Sequence, residues 1–140
     1  MSNYRGQTAE YLMRFKLAMA GQKRLALGQI TQGGNPETCL APFATVRKHT
    51  FRPNDDTTIE ADLYAQAADG PDLVVEVKDW EGKVNKDRVA AFIDAKEQLQ
   101  PILPADTLFL FYSQQPIAEV NVQRLETAGI LYADKAGFSW

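Results

Sequence analysis

The chain has 140 residues and a formal net charge of −3, with 45% hydrophobic and 24% charged residues. This length and mixture exclude a fibrous or largely disordered protein and predict one domain over residues 1–140. One cysteine and one histidine exclude an intramolecular disulfide and a zinc site of the Cys/His type. No apolar run is long enough for a signal peptide or a membrane span, so we expect a soluble, cytoplasmic protein without a membrane partner.

The first predicted element is a helix over residues 7–27, which is rich in Ala, Leu and Met and ends near Gly28. Met13 and Leu17 add apolar surface on a second side, so we expect this helix to be well buried. The stripe predicted at helical spacing consists of Thr8, Tyr11, Leu12, Phe15, Ala18 and Met19.

A strand over residues 39–51, interrupted or started by Pro42, follows a Gly-rich loop. Two further runs, 58–66 and 72–78, are predicted to pair as a hairpin because AADGP between them has the composition of a turn. This part of the chain therefore predicts a three-strand meander.

Helices and strands alternate in the second half of the chain. A helix that Pro101 ends is followed by a continuous apolar strand, 107–112, of the kind buried on both faces. A third helix over 118–128 and a short strand over 130–132 complete the order αβββαβαβ. This order predicts an α/β fold with a mixed sheet and helices on its faces.

Alternation along the hairpin separates apolar from charged side chains. The face predicted to meet a helix consists of Ala61, Leu63, Ala65, Leu73, Val75 and Val77. The opposite face consists of Glu60, Asp62, Tyr64, Gln66, Asp72, Val74, Glu76 and Lys78. A turn centred on Asp69 sets Asp62 across from Glu76 and Glu60 across from Lys78.

Opposed carboxylates repel each other, because directly opposed Cβ atoms are only about 5 Å apart. Either a raised pKa or a shared divalent cation offsets this repulsion. Lys78 lies two residues beyond Glu76 on the same face, where an ammonium group orients water and stabilises negative charge on a phosphate. The carbonyl of Val77 is a further candidate ligand. Asp72 lies roughly 13 Å along the strand from Glu76, too far to share one metal.

One sequence pattern resembles the signature of the PD-(D/E)XK nuclease superfamily, which includes restriction endonucleases, Holliday junction resolvases and Mrr-like proteins. The pattern is Asp62, thirteen intervening residues, and then Glu76-Val77-Lys78. The resemblance implies a restriction endonuclease-like fold and a Mg²⁺-dependent nuclease, with Mn²⁺ as a possible substitute. It implies that Asp62, Glu76 and Val77 bind the metal and that Lys78 positions water. Glu10 matches the helical glutamate that family members often place near the metals; the alternative is a first-turn glutamate favoured by the helix dipole. Ala61 stands where the family often has proline.

Basic residues are candidates for holding the phosphates of DNA, although each taken singly is more typical of a solvated face. The predicted nucleic-acid-binding residues are Arg47, Lys48, Arg52, Lys83 and Lys86. The alternative for the acidic face is a solvated surface on which Lys78 pairs with Glu60.

Two functions remain open from the sequence. The first is a nuclease acting on DNA, including branched or single-stranded DNA, in a homodimer or as a subunit of a larger assembly. The second is a catalytically inactive nuclease fold that serves as a nucleic-acid-binding or protein-interaction subunit. The negative net charge allows the second reading, because nucleic-acid binders usually carry a basic surplus.

Overall fold

A computed structural model of the chain describes residues 2–78 and 86–134, with side chains described from residue 9 onward. The helices are α1 (Ser2–Gln22), α2 (Leu27–Ile30), α3 (Lys86–Leu99) and α4 (Glu119–Thr127), and a 3₁₀ turn covers Gln100–Ile102. The strands are β1 (Phe43–Asn54), β2 (Thr57–Ala67), β3 (Leu73–Lys78), β4 (Leu108–Ser113) and β5 (Leu131–Asp134).

The strands in the described ranges form one mixed sheet in the order β1-β2-β3-β4-β5. β1 and β2 pair antiparallel, as do β2 and β3, whereas β4 runs parallel to both β3 and β5. The α/β class and the predicted order of elements are confirmed, with the one-turn helix α2 as the addition. β3 lies in the middle of the sheet, so its charged residues occupy a central strand.

α1 ends earlier than the sequence predicts, because Arg24 takes a left-handed conformation with φ of 52°. The N–H of Arg24 donates to the carbonyl of Gly21 at 3.0 Å, and the N–H of Leu25 donates to that of Ala20 at 3.0 Å. This pair of bonds is the Schellman pattern, which usually has glycine at the left-handed position. The prediction of one continuous helix over 7–27 is therefore wrong at its C-terminal end.

The face that α1 buries is also not the predicted one. The buried residues of the described part of α1 include Ala9, Met13, Leu17 and Ala20. Most of the predicted stripe is exposed: Tyr11 by 62%, Leu12 by 48%, Phe15 by 54% and Met19 by 54%. Both stripes are apolar, but alanines at each end of the buried one let the helix approach the sheet closely.

The two faces of the sheet carry separate cores. On one face, α1 packs against Leu63 and Ala65 of β2 and against Leu73, Val75 and Val77 of β3. On the other, the cluster combines residues of the sheet, α3 and α4, and it includes Tyr64, Val74, Phe92, Phe109, Phe111 and Leu125. The predicted alternation along the hairpin is confirmed at these positions.

Truncating the buried stripe of α1 should cost far more stability than truncating the exposed one. We expect Leu17→Ala to lower the free energy of unfolding by about 2–5 kcal/mol, because it opens a cavity in the core. Leu12→Ala, which removes the same atoms from an exposed position, should change it by less than about 1 kcal/mol. Urea unfolding of both variants measures the difference, and equal losses would contradict the observed orientation of α1.

Candidate metal centre

Asp62 lies in a β-bulge of β2. Tyr64 pairs with Arg47 and Ala61 pairs with His49, so two residues of β2 face the single residue Lys48 of β1. An extra residue re-aims the side chains beside it and breaks the strict alternation of the strand. Ala61 accordingly belongs to the core on the α3 side, and its predicted place on the face that meets α1 is wrong.

Beyond the bulge, β2 and β3 keep the predicted register. Leu63 pairs with Val75 and Tyr64 with Val74, so the next positions outward along this ladder are Asp62 and Glu76. The Asp62 carboxylate accepts a hydrogen bond from the Val77 N–H at 2.8 Å. This bond ties the bulge of β2 to the C-terminal end of β3.

Lys78 lies beside Glu76 on β3. The Lys78 Nζ lies 3.3 Å from Glu76 Oε1, and their side chains are only 12% and 19% exposed. The predicted alternative, in which Lys78 pairs with Glu60, is wrong. Glu60 instead pairs with Lys48 at 2.9 Å, and both of those side chains are 56% exposed.

Glu10 completes the acidic cluster from α1. It lies more than two turns into the helix, so the alternative reading of a first-turn glutamate is wrong. Its side chain is hydrogen-bonded to Asp62, and Asp62 is also hydrogen-bonded to Glu76. Three carboxyl groups from three elements thus meet, with Asp62 between the other two. We name this set, Glu10, Asp62 and Glu76, the carboxyl cluster.

The carboxyl cluster shares protons. Burial, then the hydrogen bond and charge of Asp62, raise the pKa of Glu76 to about 8. Burial and the charge of Asp62 likewise raise the pKa of Glu10 to about 7. Burial also disfavours the charge on Asp62, but hydrogen bonds from Glu76 and Val77 and the nearby Lys78 hold its pKa below the ordinary value. Asp62 is therefore the ionised member, which accepts bonds from its protonated neighbours.

This proton sharing should make the metal-free protein less stable as pH rises. Glu76 binds its proton more tightly when folded than when unfolded, because its pKa rises from 4.5 to about 8. The folded state therefore holds more protons between these values, and the free energy of unfolding falls across that window. We expect Glu76→Gln, which mimics the protonated side chain, to flatten this fall. Urea unfolding in EDTA measures both proteins, and an unchanged slope in the variant would contradict the assignment.

Asp72 has a structural role, whereas the sequence predicts only that it lies too far from Glu76 to share a metal. Its carboxylate accepts hydrogen bonds from the Tyr64 hydroxyl and from the Ala67 N–H, each at 2.9 Å. It is buried, and these two bonds close the turn between β2 and β3. Burial, the hydrogen bond to Asp72 and the negative charge of Asp72 raise the pKa of Tyr64 to about 12.

Only some of the predicted nucleic-acid-binding residues lie beside the carboxyl cluster. Arg47 and Lys48 line a cavity of about 230 Å³ together with Glu10 and Asp62. Arg52 is exposed further along β1, and Lys86 is exposed at the start of α3; neither lines that cavity. Lys83 lies outside the described residues.

Arg14 is a lining residue of the same cavity that the sequence reasoning missed. It lies four residues after Glu10 on α1, and residues at this spacing share one face of a helix. That spacing is the signal that could have found it once Glu10 was a candidate. The cavity beside the carboxyl cluster therefore has cationic side chains from both α1 and β1.

A scan of the chain against models of known protein families found no match, and a search of curated proteins found none either. The case for function therefore depends on the geometry of the site. In residues 2–78 and 86–134, no helix has the length and apolarity that crossing a membrane requires.

The chemistry of the donors fits Mg²⁺. Within the described ranges, no three His, Cys, Asp or Glu side chains are already arranged as a ligand set. Those of the carboxyl cluster are instead held by hydrogen bonds to one another. Carboxyl groups this close need either shared protons or a cation between them, and hard oxygen donors are the ligands that Mg²⁺ and Mn²⁺ prefer. Asp62 and Glu76 would hold the ion, and Glu10 would hold a second ion or a water.

Proposed function

We propose that this protein is a metal-dependent nuclease that hydrolyses phosphodiester bonds in DNA. The observation that supports this most strongly is the meeting of Glu10, Asp62 and Glu76, with Lys78 3.3 Å from Glu76. A structural ion pair on a sheet does not require three neighbouring carboxyl groups, and such an arrangement costs stability unless protons or a cation offset the repulsion.

The residues around the carboxyl cluster suit attack by water on a phosphate. A bound Mg²⁺ supplies charge neutralisation at the phosphate and a water of lowered pKa. Asp62 and Glu76 would hold that ion through carboxylate oxygens carried by β2 and β3. Lys78 holds the attacking water and stabilises negative charge that develops on the phosphate oxygens. Lys48, Arg14 and Arg47 attract the DNA backbone toward the cavity.

The arrangement of elements supports the finer description of the fold. A helix, a three-strand meander, a helix and a further strand are the parts that the resemblance to PD-(D/E)XK nucleases implies, and the chain has elements in this order. Glu10 lies on α1, Asp62 on β2, and Glu76 and Lys78 on β3, which supports the resemblance. We therefore propose the restriction endonuclease-like fold for this chain. A homodimer or larger assembly stays a prediction.

A cleavage panel tests the proposed function. Linear, branched and single-stranded DNA and RNA are incubated with the protein in Mg²⁺, Mn²⁺ or EDTA. We expect products with either cation and none in EDTA. Binding without cleavage of any substrate under all conditions would favour the inactive nuclease fold instead.

A further inference from the structure

The cavity beside the carboxyl cluster adjoins a larger groove between α1 and β1. The groove has a volume of about 660 Å³ and shares Tyr11, Arg14 and Arg47 with the smaller cavity. Beyond these residues it is lined by Phe15 of α1 and Phe43 of β1, among others. A chain-like ligand lying in the groove would therefore end at Glu10 and Asp62.

The charge of this groove is suited to a polyanion. Arg14 and Arg47 are exposed, and neither forms an ion pair with any side chain in the described ranges. The chain as a whole carries a net charge of −3, so free cations here are a local feature and not part of a general basic surface. Two arginines along a groove present donors to successive phosphates.

The groove also offers aromatic faces. Tyr11 and Phe15 are exposed by 62% and 54%, and their ring centroids lie 5.0 Å apart with an interplanar angle of 78°. Large aromatic rings at the mouth of a cationic groove provide stacking platforms for bases. In a duplex the base faces are covered by their neighbours, whereas an unpaired strand exposes them.

We propose that the groove between α1 and β1 binds an unpaired nucleic-acid strand and leads it to the carboxyl cluster. This inference rests on the proposed nuclease function, because the strand ends at the site where its phosphate would be cleaved. It narrows the substrate to single-stranded DNA or to the unpaired arm of a branched molecule. Arg14 and Arg47 bind the phosphates, and Tyr11 and Phe15 stack on bases.

Fluorescence anisotropy with a labelled oligothymidylate tests this proposal in EDTA, where no cleavage is needed. We expect the single strand to bind more tightly than a dT·dA duplex of the same length. Phe15→Ala should weaken single-strand binding about tenfold or more with little change in its salt dependence. Arg14→Ala should weaken it and lower the slope of log Kd against log salt by about 0.7.

Two matched controls, one in α1 and one directly after it, separate the groove from neighbouring exposed positions. Leu12→Ala removes an exposed apolar side chain, and Lys23→Ala removes an exposed cation, from positions that line neither cavity. Both should change the single-strand Kd by less than about twofold. Equal effects of Leu12→Ala and Phe15→Ala would overturn the proposal.

Other results would also overturn the proposal. One is a duplex affinity equal to or above that of the single strand. Another is loss of self-association in Phe15→Ala, measured by sedimentation, with unchanged DNA binding, since the face would then join two copies of this chain. The measurement of single-strand binding in EDTA is independent of the proposed cleavage reaction. Single-strand preference without cleavage in Mg²⁺ would refute the nuclease alone, and cleavage without that preference would refute the groove alone.

Discussion

Glu76→Gln should abolish metal-dependent cleavage while leaving the protein folded. The substitution removes one carboxylate of the proposed ion site but preserves its shape and its ability to hydrogen-bond Asp62. Loss of charge stabilisation worth several kcal/mol lowers the rate by about 10³-fold or more. Because Glu76 carries a proton in the metal-free protein near neutral pH, the amide should cost little stability. Single-turnover cleavage and urea unfolding measure the two effects.

Lys78→Met tests the second half of the same site. Its ammonium group is 3.3 Å from Glu76 and largely buried, so the substitution removes a positioned donor rather than a solvated charge. We expect a fall in the cleavage rate of about 10²- to 10³-fold, the usual effect of removing one donor that stabilises developing negative charge.

Asp72→Asn is the matched control for both variants. Its carboxyl group lies four residues before Glu76 and just outside β3, where Pro71-Asp72 offers a second, literal match to the motif. The structure engages that carboxylate with Tyr64 and Ala67, so we expect lower stability by about 1 kcal/mol and nearly unchanged cleavage. Loss of cleavage in a folded Asp72→Asn protein, with activity retained in Glu76→Gln, would show that the site is assigned to the wrong carboxylates.

The register of this site could be predicted because it depends on local rules. Strand alternation and a turn centred on Asp69 are sufficient to set Asp62 beside Glu76, and Leu63 pairs with Val75 as those rules require. The bulge at Asp62 could not be predicted in the same way. Between the pairs Arg47–Tyr64 and His49–Ala61, β2 has two residues and β1 has one. This mismatch depends on how the two strands pair, so the sequence pattern of either strand alone does not predict it.

The orientation of α1 shows a second limit. Both stripes of α1 carry large apolar residues, and choosing between them requires knowing which one fits the sheet. The stripe with Met13 and Leu17 packs there, and the stripe with Tyr11 and Phe15 remains exposed beside the groove. Glu10 was predicted through the resemblance alone, whereas Arg14 follows from its spacing to Glu10 once the cavity is known. A hydrophobic pattern alone therefore does not identify the stripe that remains exposed.

Mg²⁺ should bind this protein more tightly as pH rises. The ion needs ionised carboxylates, but burial and the adjacent Asp62 raise the pKa of Glu10 to about 7 and that of Glu76 to about 8. Below these values a proton must leave each group when the ion binds, so protons compete with the metal. Affinity should therefore rise by up to about tenfold per pH unit for each proton released, and level off above about pH 8.

Thermal unfolding with and without Mg²⁺ measures this competition without any nucleic acid. The stabilisation by a fixed Mg²⁺ concentration should grow from about pH 6 to about pH 8, because it increases with the ratio of free ion to Kd. The metal-free protein loses stability over the same range, because Glu76 and Glu10 hold their protons more tightly in the folded state than in the unfolded state. Mg²⁺ and protons thus offset the same repulsion. Asp62→Asn removes the carboxylate that the other two share and should eliminate the Mg²⁺ shift at every pH, whereas Asp72→Asn should retain it. A shift that shrinks as pH rises would mean that the ion binds elsewhere.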